Sequence, residues 1–145
     1  MKKQTRSKIS LLLALLMLLA SVTLTSCRQP TPTEELWEDA IHTEDKELGE
    51  GEKTFTLKVT AGEKSITLTV HTNEKTLADA LLALNLVEGK NDQYGLYIKK
   101  VNGILADYDV DNYYWNLLVD GKTSFVGASG VDVNDGACFE FRREK

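Results

Sequence analysis

Residues 54–70 read TFTLKVTAGEKSITLTV, and this stretch decides the fold. Apolar and polar residues alternate on both sides of a turn at residues 61–64. Successive side chains of a β-strand point to opposite faces, so the alternation predicts an antiparallel hairpin with one apolar face. The apolar positions are Phe55, Leu57, Val59, Ile66, Leu68 and Val70.

The segment after the hairpin has the pattern of a helix. Thr76 stands three residues before Asp79, which is the spacing of a capped helix start, and the helix should end near Leu86. We therefore predict one amphipathic helix that covers the apolar face of the hairpin. Its apolar stripe consists of Leu77, Ala80, Leu81 and Leu84.

Three shorter strands are predicted in the second half of the chain, around residues 96–101, 113–119 and 137–142, with a polar loop at 88–95 before them. A hairpin, one helix and three or more short strands in this order predict an α+β fold of the β-grasp type, with a mixed sheet. The turn signals that separate or bound these strands are Asn102-Gly103, Asp120-Gly121 and Asp135-Gly136.

The first 26 residues have the layout of a signal peptide. They hold four basic residues and no acidic one, and their apolar run from Ile9 to Ala20 is shorter than the roughly 20 residues of a membrane-spanning helix. The sequence LTSC at 24–27 resembles the lipobox of bacterial lipoproteins, which implies that Cys27 is lipidated and becomes the first mature residue. The alternative is an ordinary signal peptide that leaves Cys27 as a thiol.

Lipidation of Cys27 predicts an extracytoplasmic protein that is anchored to the cell membrane by its acyl chains. Each buried CH₂ contributes about 0.8 kcal/mol to anchoring, and stable attachment takes two signals, which a diacylated cysteine supplies. Cys138 is then the only other cysteine, so a disulfide within the chain cannot form.

Residues 27–52 are predicted to be the lipidated cysteine and a solvated acidic spacer before the domain at 53–145. Residues 28–52 hold nine acidic and two basic residues. As a coil, roughly 25 residues would span on the order of 25–30 Å. A short helix can begin at Thr31, and docking of Trp37 and Ile41 on the domain or on a partner is the alternative.

The charge of the chain argues against nucleic acid as a partner. Without the first 26 residues, 13 basic residues stand against 22 acidic ones. A protein of this charge lacks the positive surface that neutralises phosphates.

Tyrosines are concentrated before and within the strand predicted at 113–119. Alternation places Tyr113 and Trp115 on one face of that strand and Tyr114 on the other. One set can fill the core, while the other offers a stacking platform for a flat ring or a sugar. The candidate ligand-binding residues are Tyr108, Tyr113, Tyr114 and Trp115, and packing of Trp115 in the core is the alternative.

Asp107, Asp109 and Asp111 alternate like the start of a calcium loop. Asn112 and Leu118 stand where an EF-hand has Gly and Glu, so we expect a solvated acidic loop rather than a metal site, with weak calcium binding as the alternative.

The sequence predicts neither an enzyme nor a required cofactor. Two histidines, His42 and His71, are too few for a zinc cluster, and Cys138 is expected to be a small, buried or semi-buried filler. A hydrolase that pairs Cys138 with His71 is the alternative.

Several segments of the second half resemble a bacterial family called domain of unknown function 4430, which is similar to the C-terminal β-domain of transcobalamin and intrinsic factor. The resemblance covers residues from about 55 to 143. The segments that carry it are Thr76–Leu81, Val101–Gly103, Tyr114–Gly121, Val126-Gly127 and Asp135–Phe141.

The resemblance implies a ligand- or partner-binding module. In the cobalamin carriers, the β-domain closes over a ligand that a helical barrel domain mainly holds, and this chain has no such barrel. A corrinoid such as cobalamin would therefore be held from one side, or together with a second protein. The alternative is a protein–protein interaction module of a cell-surface complex, which would use sheet edges or the loops at 107–112 and 124–129.

Overall fold

A computed structural model describes residues 28–145, so the predicted signal peptide and Cys27 lie outside the described residues. The fold is mixed α+β and consists mostly of strands, which confirms the predicted class. The helices are α1 (Pro32–Leu36), α2 (Leu77–Ala83) and α3 (Tyr108–Asp111). The strands are β1 (Lys46–Gly49), β2 (Lys53–Ala61), β3 (Lys64–Thr72), β4 (Val87–Asp92), β5 (Gly95–Val101), β6 (Ile104–Leu105), β7 (Tyr114–Val119), β8 (Lys122–Thr123) and β9 (Cys138–Glu144).

The larger sheet has six strands in the order β1-β3-β2-β9-β7-β8. β2 and β3 pair antiparallel along their whole length, while β1 lies parallel to β3 and β9 parallel to β2. The sheet is therefore mixed, as the sequence predicted. β1 precedes the β2–β3 pair, so that pair is not the first element of the fold.

A smaller sheet consists of β4, β5 and β6. The sequence predicted a polar loop at 88–95, but residues 87–92 form β4 and pair antiparallel with β5. The prediction was wrong because only Val87 of this strand is buried, which leaves no alternation to detect. A β-bulge interrupts the pairing at Glu88 and Gly89, and a Cβ on Gly89 would lie 2.1 Å from the Tyr97 carbonyl oxygen.

The inner face of the larger sheet and the apolar stripe of α2 share one hydrophobic core. Phe55 and Phe139 pack edge to face across β2 and β9, with ring centroids 5.3 Å apart. Thr76 caps α2 by accepting a hydrogen bond from the Asp79 amide at 3.2 Å, which confirms the predicted start. The helix ends at Ala83, three residues before Leu86.

The acidic segment before β2 is folded against the domain, whereas the sequence predicted a solvated spacer. Trp37 is only 4% exposed, and its indole Nε1 donates a hydrogen bond to the Ala61 carbonyl at 2.9 Å. The Lys64 ammonium lies 4.7 Å from the Trp37 ring centroid. Trp37 thus docks the first part of a segment whose composition is that of a coil, while Ile41 remains half exposed.

A capping box begins α1 as predicted. The Thr31 hydroxyl accepts a hydrogen bond from the Glu34 amide at 3.2 Å, and the Glu34 carboxylate accepts one from the Thr31 amide at 2.6 Å. The hydrogen bond from the Thr31 amide is the main cause that lowers the pKa of the Glu34 carboxyl.

Asn102 holds the end of this segment. Its buried side chain accepts a hydrogen bond from the His42 amide at 2.9 Å and donates one to the His42 carbonyl at 2.7 Å. Its own carbonyl accepts from the Ile41 amide at 2.9 Å. Next to it, a Cβ on Gly103 would lie 2.2 Å from the Asp39 carbonyl oxygen, so the segment passes directly over this turn.

Among the described residues, the helices are too short and too polar to cross a membrane.

We expect Asn102→Ala to lower the free energy of unfolding by about 2–3 kcal/mol, because it removes a buried side chain and leaves two main-chain groups of the half-buried His42 without their partner. Asn85→Ala is the matched control, since Asn85 has the same left-handed backbone (φ 55° against 53°) but is exposed. The loss of unfolding free energy caused by Asn85→Ala should stay near 1 kcal/mol. Chemical denaturation measures both, and equal losses would contradict a special role for Asn102.

Candidate functional site

The four predicted ligand-binding residues do not form one surface. Tyr108 is exposed on α3, while Tyr114 and Trp115 lie side by side on β7. Tyr113 is half-buried beneath the Arg143 guanidinium, whose central carbon lies 3.7 Å from the ring centroid. One face of Tyr113 is therefore already covered and does not offer a free stacking platform.

A cavity of about 140 Å³ lies between β5, β7 and the segment at 127–128. Tyr97 and Tyr114 are 44% and 39% exposed, whereas Trp115 is 8% exposed. The two tyrosines therefore form its rim, and the buried residues form its walls. We call this feature the β5–β7 cavity, and its lining residues are Leu96, Tyr97, Ile98, Tyr114, Trp115, Leu117, Gly127, Ala128 and Phe141.

The cavity lies where two strands come together without pairing. In the described part of the chain, β8 pairs with β7 only at Leu118 and Val119, and β6 pairs with β5 only at Lys100 and Val101. The portions of β5 and β7 that line the cavity therefore have no strand partner on their second side.

Trp115 belongs both to the core and to the wall of the cavity. It belongs to the hydrophobic core, so the core-packing alternative describes part of its environment. Its indole Nε1 is buried and has no hydrogen-bond partner, the only such side-chain atom found within residues 28–145. Buried donors are nearly always paired in proteins, so this N–H is an exception among the described residues.

The rim residue Tyr114 is held by Glu144. Its hydroxyl donates a hydrogen bond to the Glu144 carboxylate at 3.2 Å, and the Asn116 amide donates to the same oxygen at 3.2 Å. This bond raises the pKa of the Tyr114 hydroxyl. The ring is thus fixed at the mouth of the cavity.

Two exposed aromatic residues, one of which lines the cavity, were not among the predicted site residues. Tyr97 lies on the rim, and Phe125 is fully exposed two residues before Gly127. Phe125 and Val126 form an apolar pair within an exposed loop, and this pair was the signal in the sequence.

Two carboxylates of the acidic loop at 107–111 are already engaged in hydrogen bonds and ion pairs within the domain. The Asp107 carboxylate accepts from Lys99 at 2.7 Å and caps α3 through the Asp109 amide at 3.2 Å. Asp111 forms an ion pair with Arg143 at 2.8 Å. The hydrogen bond from Lys99 lowers the pKa of the Asp107 carboxyl. Within residues 28–145, no group of three or more His, Cys, Asp or Glu side chains is arranged to hold a metal ion.

His71 and Cys138 are not paired. The two ring nitrogens of His71 contact the Thr54 hydroxyl at 2.8 Å and the Glu47 carboxylate at 2.5 Å, which ties β1 to the sheet. Cys138 is exposed at the start of β9, so the expectation of a buried or semi-buried filler was wrong. It occupies the outward-facing position of its strand.

Residues 74–144 match the family model described as Domain of unknown function (DUF4430). The chain belongs to this family, which confirms the resemblance found in its sequence. No curated protein matches the chain.

Two solved structures are similar to this chain. A protein from Ruminococcus gnavus ATCC 29149, called a candidate metal-binding protein, is 30% identical, with a TM-score of 0.61 over 65% of this chain and 98% of that one. Haptocorrin in complex with Cbi is 24% identical, with a TM-score of 0.49 over 64% of this chain and 25% of that one. This chain therefore spans about a quarter of the length of haptocorrin.

The pairing of Asp107 with Lys99 predicts a pH dependence of stability. A carboxyl whose pKa is lowered on folding stabilises the protein above its unfolded pKa, and this contribution is lost as the pH falls through the folded value. We expect Asp107→Asn, which keeps a capping side chain, to lower Tm at pH 7. The difference from wild type should shrink below about pH 4.

Asp109→Asn is the control, because the Asp109 side chain is exposed at the same loop. It should leave Tm nearly unchanged at both pH values. Thermal unfolding followed by circular dichroism measures all three proteins. A difference for Asp107→Asn that is as large at pH 2.5 as at pH 7 would contradict the ion-pair explanation.

Proposed function

We propose that the protein is an extracytoplasmic lipoprotein, anchored through Cys27, whose domain binds a small ligand at the β5–β7 cavity. The observation that carries the proposal is the combination of apolar walls and a tyrosine rim. Pockets of this composition, with few polar groups that fix orientation, are typical of small-molecule sites.

We also propose that the domain has the β-grasp arrangement. Two observations support it: β2 and β9 are parallel neighbours within a mixed sheet, and α2 shares the core of that sheet's inner face. In this arrangement the β5–β7 cavity lies at one margin of the sheet, beside the short edge strand β8.

A corrinoid is the specific ligand that we propose. Pockets that enclose drug-sized ligands measure about 300–1,000 Å³, so a cavity of about 140 Å³ cannot enclose a corrin ring. A corrinoid would instead lie across the rim and contact Tyr97 and Tyr114 from one side. A metal held inside an organic ring needs no cluster of protein ligands, which agrees with the metal binding ascribed to the Ruminococcus gnavus relative.

The contacts of the candidate residues support a binding role rather than a catalytic one. His71 is bonded to Thr54 and Glu47, and Cys138 stands apart from it on the sheet. We therefore infer that the protein needs no cofactor of its own and acts by holding a ligand.

A protein partner is the second candidate. Phe125 is fully exposed and Val126 is more than half exposed just before Gly127 in the sequence, and exposed aromatic residues often anchor protein interfaces. In this case the domain would be an interaction module of a cell-surface complex, with no small-molecule ligand.

Calorimetric titration of residues 28–145 with cobalamin and with cobinamide tests the ligand. We expect saturable binding that Tyr97→Ala and Tyr114→Ala each weaken about five- to tenfold, because each removes an aromatic contact. Tyr108→Ala is the matched control, since Tyr108 is an exposed tyrosine that does not line the cavity. A flat trace with both corrinoids would exclude them as ligands of this domain and favour the protein partner.

Lipidation is tested by replacing each cysteine in the full chain. We expect Cys27→Ser to release the protein from the membrane fraction, because no thiol remains to be acylated, while Cys138→Ser stays attached. Fractionation followed by immunoblotting measures the distribution. Unchanged attachment of Cys27→Ser would contradict the lipoprotein assignment.

A further inference from the structure

Phe125 and Val126 form an apolar tip on the loop that follows β8. Phe125 is fully exposed, and Val126 is 55% exposed. The Ser124 hydroxyl accepts a hydrogen bond from the Val126 amide at 3.3 Å and donates one to the Val126 carbonyl at 2.8 Å. These bonds close a tight turn that holds the Phe125 ring away from the domain. Folding leaves this apolar surface in water, so it is available to another apolar environment.

The pairing of the strands shows at which end of the larger sheet this loop lies. β9 is parallel to β2 and antiparallel to β7, so the end of β2 and the start of β7 lie at the same end of the sheet. β8 is antiparallel to β7, and the Ser124 amide donates a hydrogen bond to the Leu117 carbonyl at 2.8 Å. The chain therefore leads to Phe125 in the direction of the β2–β3 turn. β2 and β8 are three strand spacings apart, roughly 14 Å.

The N-terminal segment reaches the domain at this same end of the sheet. α1 lies against the β2–β3 turn, where a Cβ built on Gly62 would lie 3.1 Å from the Thr33 hydroxyl oxygen. Cys27, the proposed lipid anchor, stands only four residues before the Thr31 cap of α1. The acyl chains would thus hold close to the bilayer the end of the sheet toward which the Phe125 loop extends.

The sequence around the loop is suited to contact with lipid. No acidic residue occurs between Asp120 and Asp132, and Lys122 is the only charged residue in that interval. A lysine can keep its ammonium group in water while its apolar stem lies along apolar surface. Insertion of Phe125 and Val126 would therefore remove no unpaired charge of this segment from water.

We propose that Phe125 and Val126 insert into the headgroup layer of the membrane that holds the acyl chains of Cys27. The proposal rests on the lipoprotein assignment in the proposed function. The domain would then be attached at two sites on the same end of the larger sheet, and not by its anchor alone.

The experiment uses one acyl chain in place of two. A single myristoyl chain gives only marginal, reversible membrane binding, so a second contact measurably raises the affinity. The protein is residues 27–145 with Cys138→Ser, and the Cys27 thiol is coupled to a maleimide that carries one myristoyl-length chain. Sedimentation measures its binding to phosphatidylcholine vesicles. This lipid has no net charge, so repulsion of the acidic residues of the domain does not affect the measurement.

We expect Phe125→Ser to weaken vesicle binding about tenfold, because the apolar surface of the inserted ring is lost. Phe125→Trp should keep the affinity of wild type. Its fluorescence emission should also shift to shorter wavelength when vesicles are added. Trp37 and Trp115 are buried, so the shift reports the indole at position 125.

Leu82→Ser is the matched control and should bind as tightly as wild type. Leu82 is 43% exposed on α2, far from the β2–β3 turn. The Leu84 side chain after the same helix would lie 3.5 Å from a Cβ on Gly49, which pairs with His71 near the opposite end of β3. Thermal unfolding of each variant establishes that it is folded.

Two results would overturn the proposal: equal vesicle binding by wild type and a folded Phe125→Ser, or an equal loss of binding with Leu82→Ser. Either result would leave the exposed ring to a protein partner. The chain is attached chemically, so the assay does not depend on lipidation in the cell. Weaker binding of Phe125→Ser together with unchanged attachment of Cys27→Ser in cells would support the contact of the loop and remove Cys27 as the anchor.

Discussion

The buried amide of Asn102 joins three parts of the molecule. Its main-chain N–H donates to the Leu86 carbonyl after α2 at 2.7 Å, and its side chain pairs with both main-chain groups of His42. Asn102 itself forms the turn between β5 and β6. The smaller sheet is thus tied to the helix on one side and to the N-terminal segment on the other. Because β5 forms one side of the β5–β7 cavity, the position of that side depends on the hydrogen bonds of Asn102.

The sequence could predict the centre of the fold because its signals are local. Alternation within 54–70 and the Thr76 cap each depend on residues a few positions apart, and both appear in the structure. The errors arise where a distant partner decides the structure. β4 is polar and exposed, and it becomes a strand through pairing with β5. The acidic segment is held by Trp37, whose hydrogen-bond partner Ala61 is 24 residues away.

The candidate site shows the same division. Periodicity placed Trp115 and Tyr114 on opposite faces of the strand, and both residues line the cavity. It could not show that Arg143, thirty residues later, covers Tyr113, or that Lys99 and Arg143 occupy the acidic loop. Tyr97 reaches the rim because β5, a strand of the smaller sheet, lies beside β7, a strand of the larger sheet. A contact between two sheets has no signature within either strand.

The docked segment at 31–49 also determines how the domain would stand on a membrane. With Cys27 acylated as we propose, only residues 28–30 separate the anchor from the Thr31 cap of α1. Fully extended, so few residues span on the order of 10–14 Å, about half the reach of a free 25-residue coil. Such a short tether would keep the domain close to the bilayer and would restrict the orientations that it can adopt. A binding partner in the same membrane would then lose less orientational entropy when it associates with the domain.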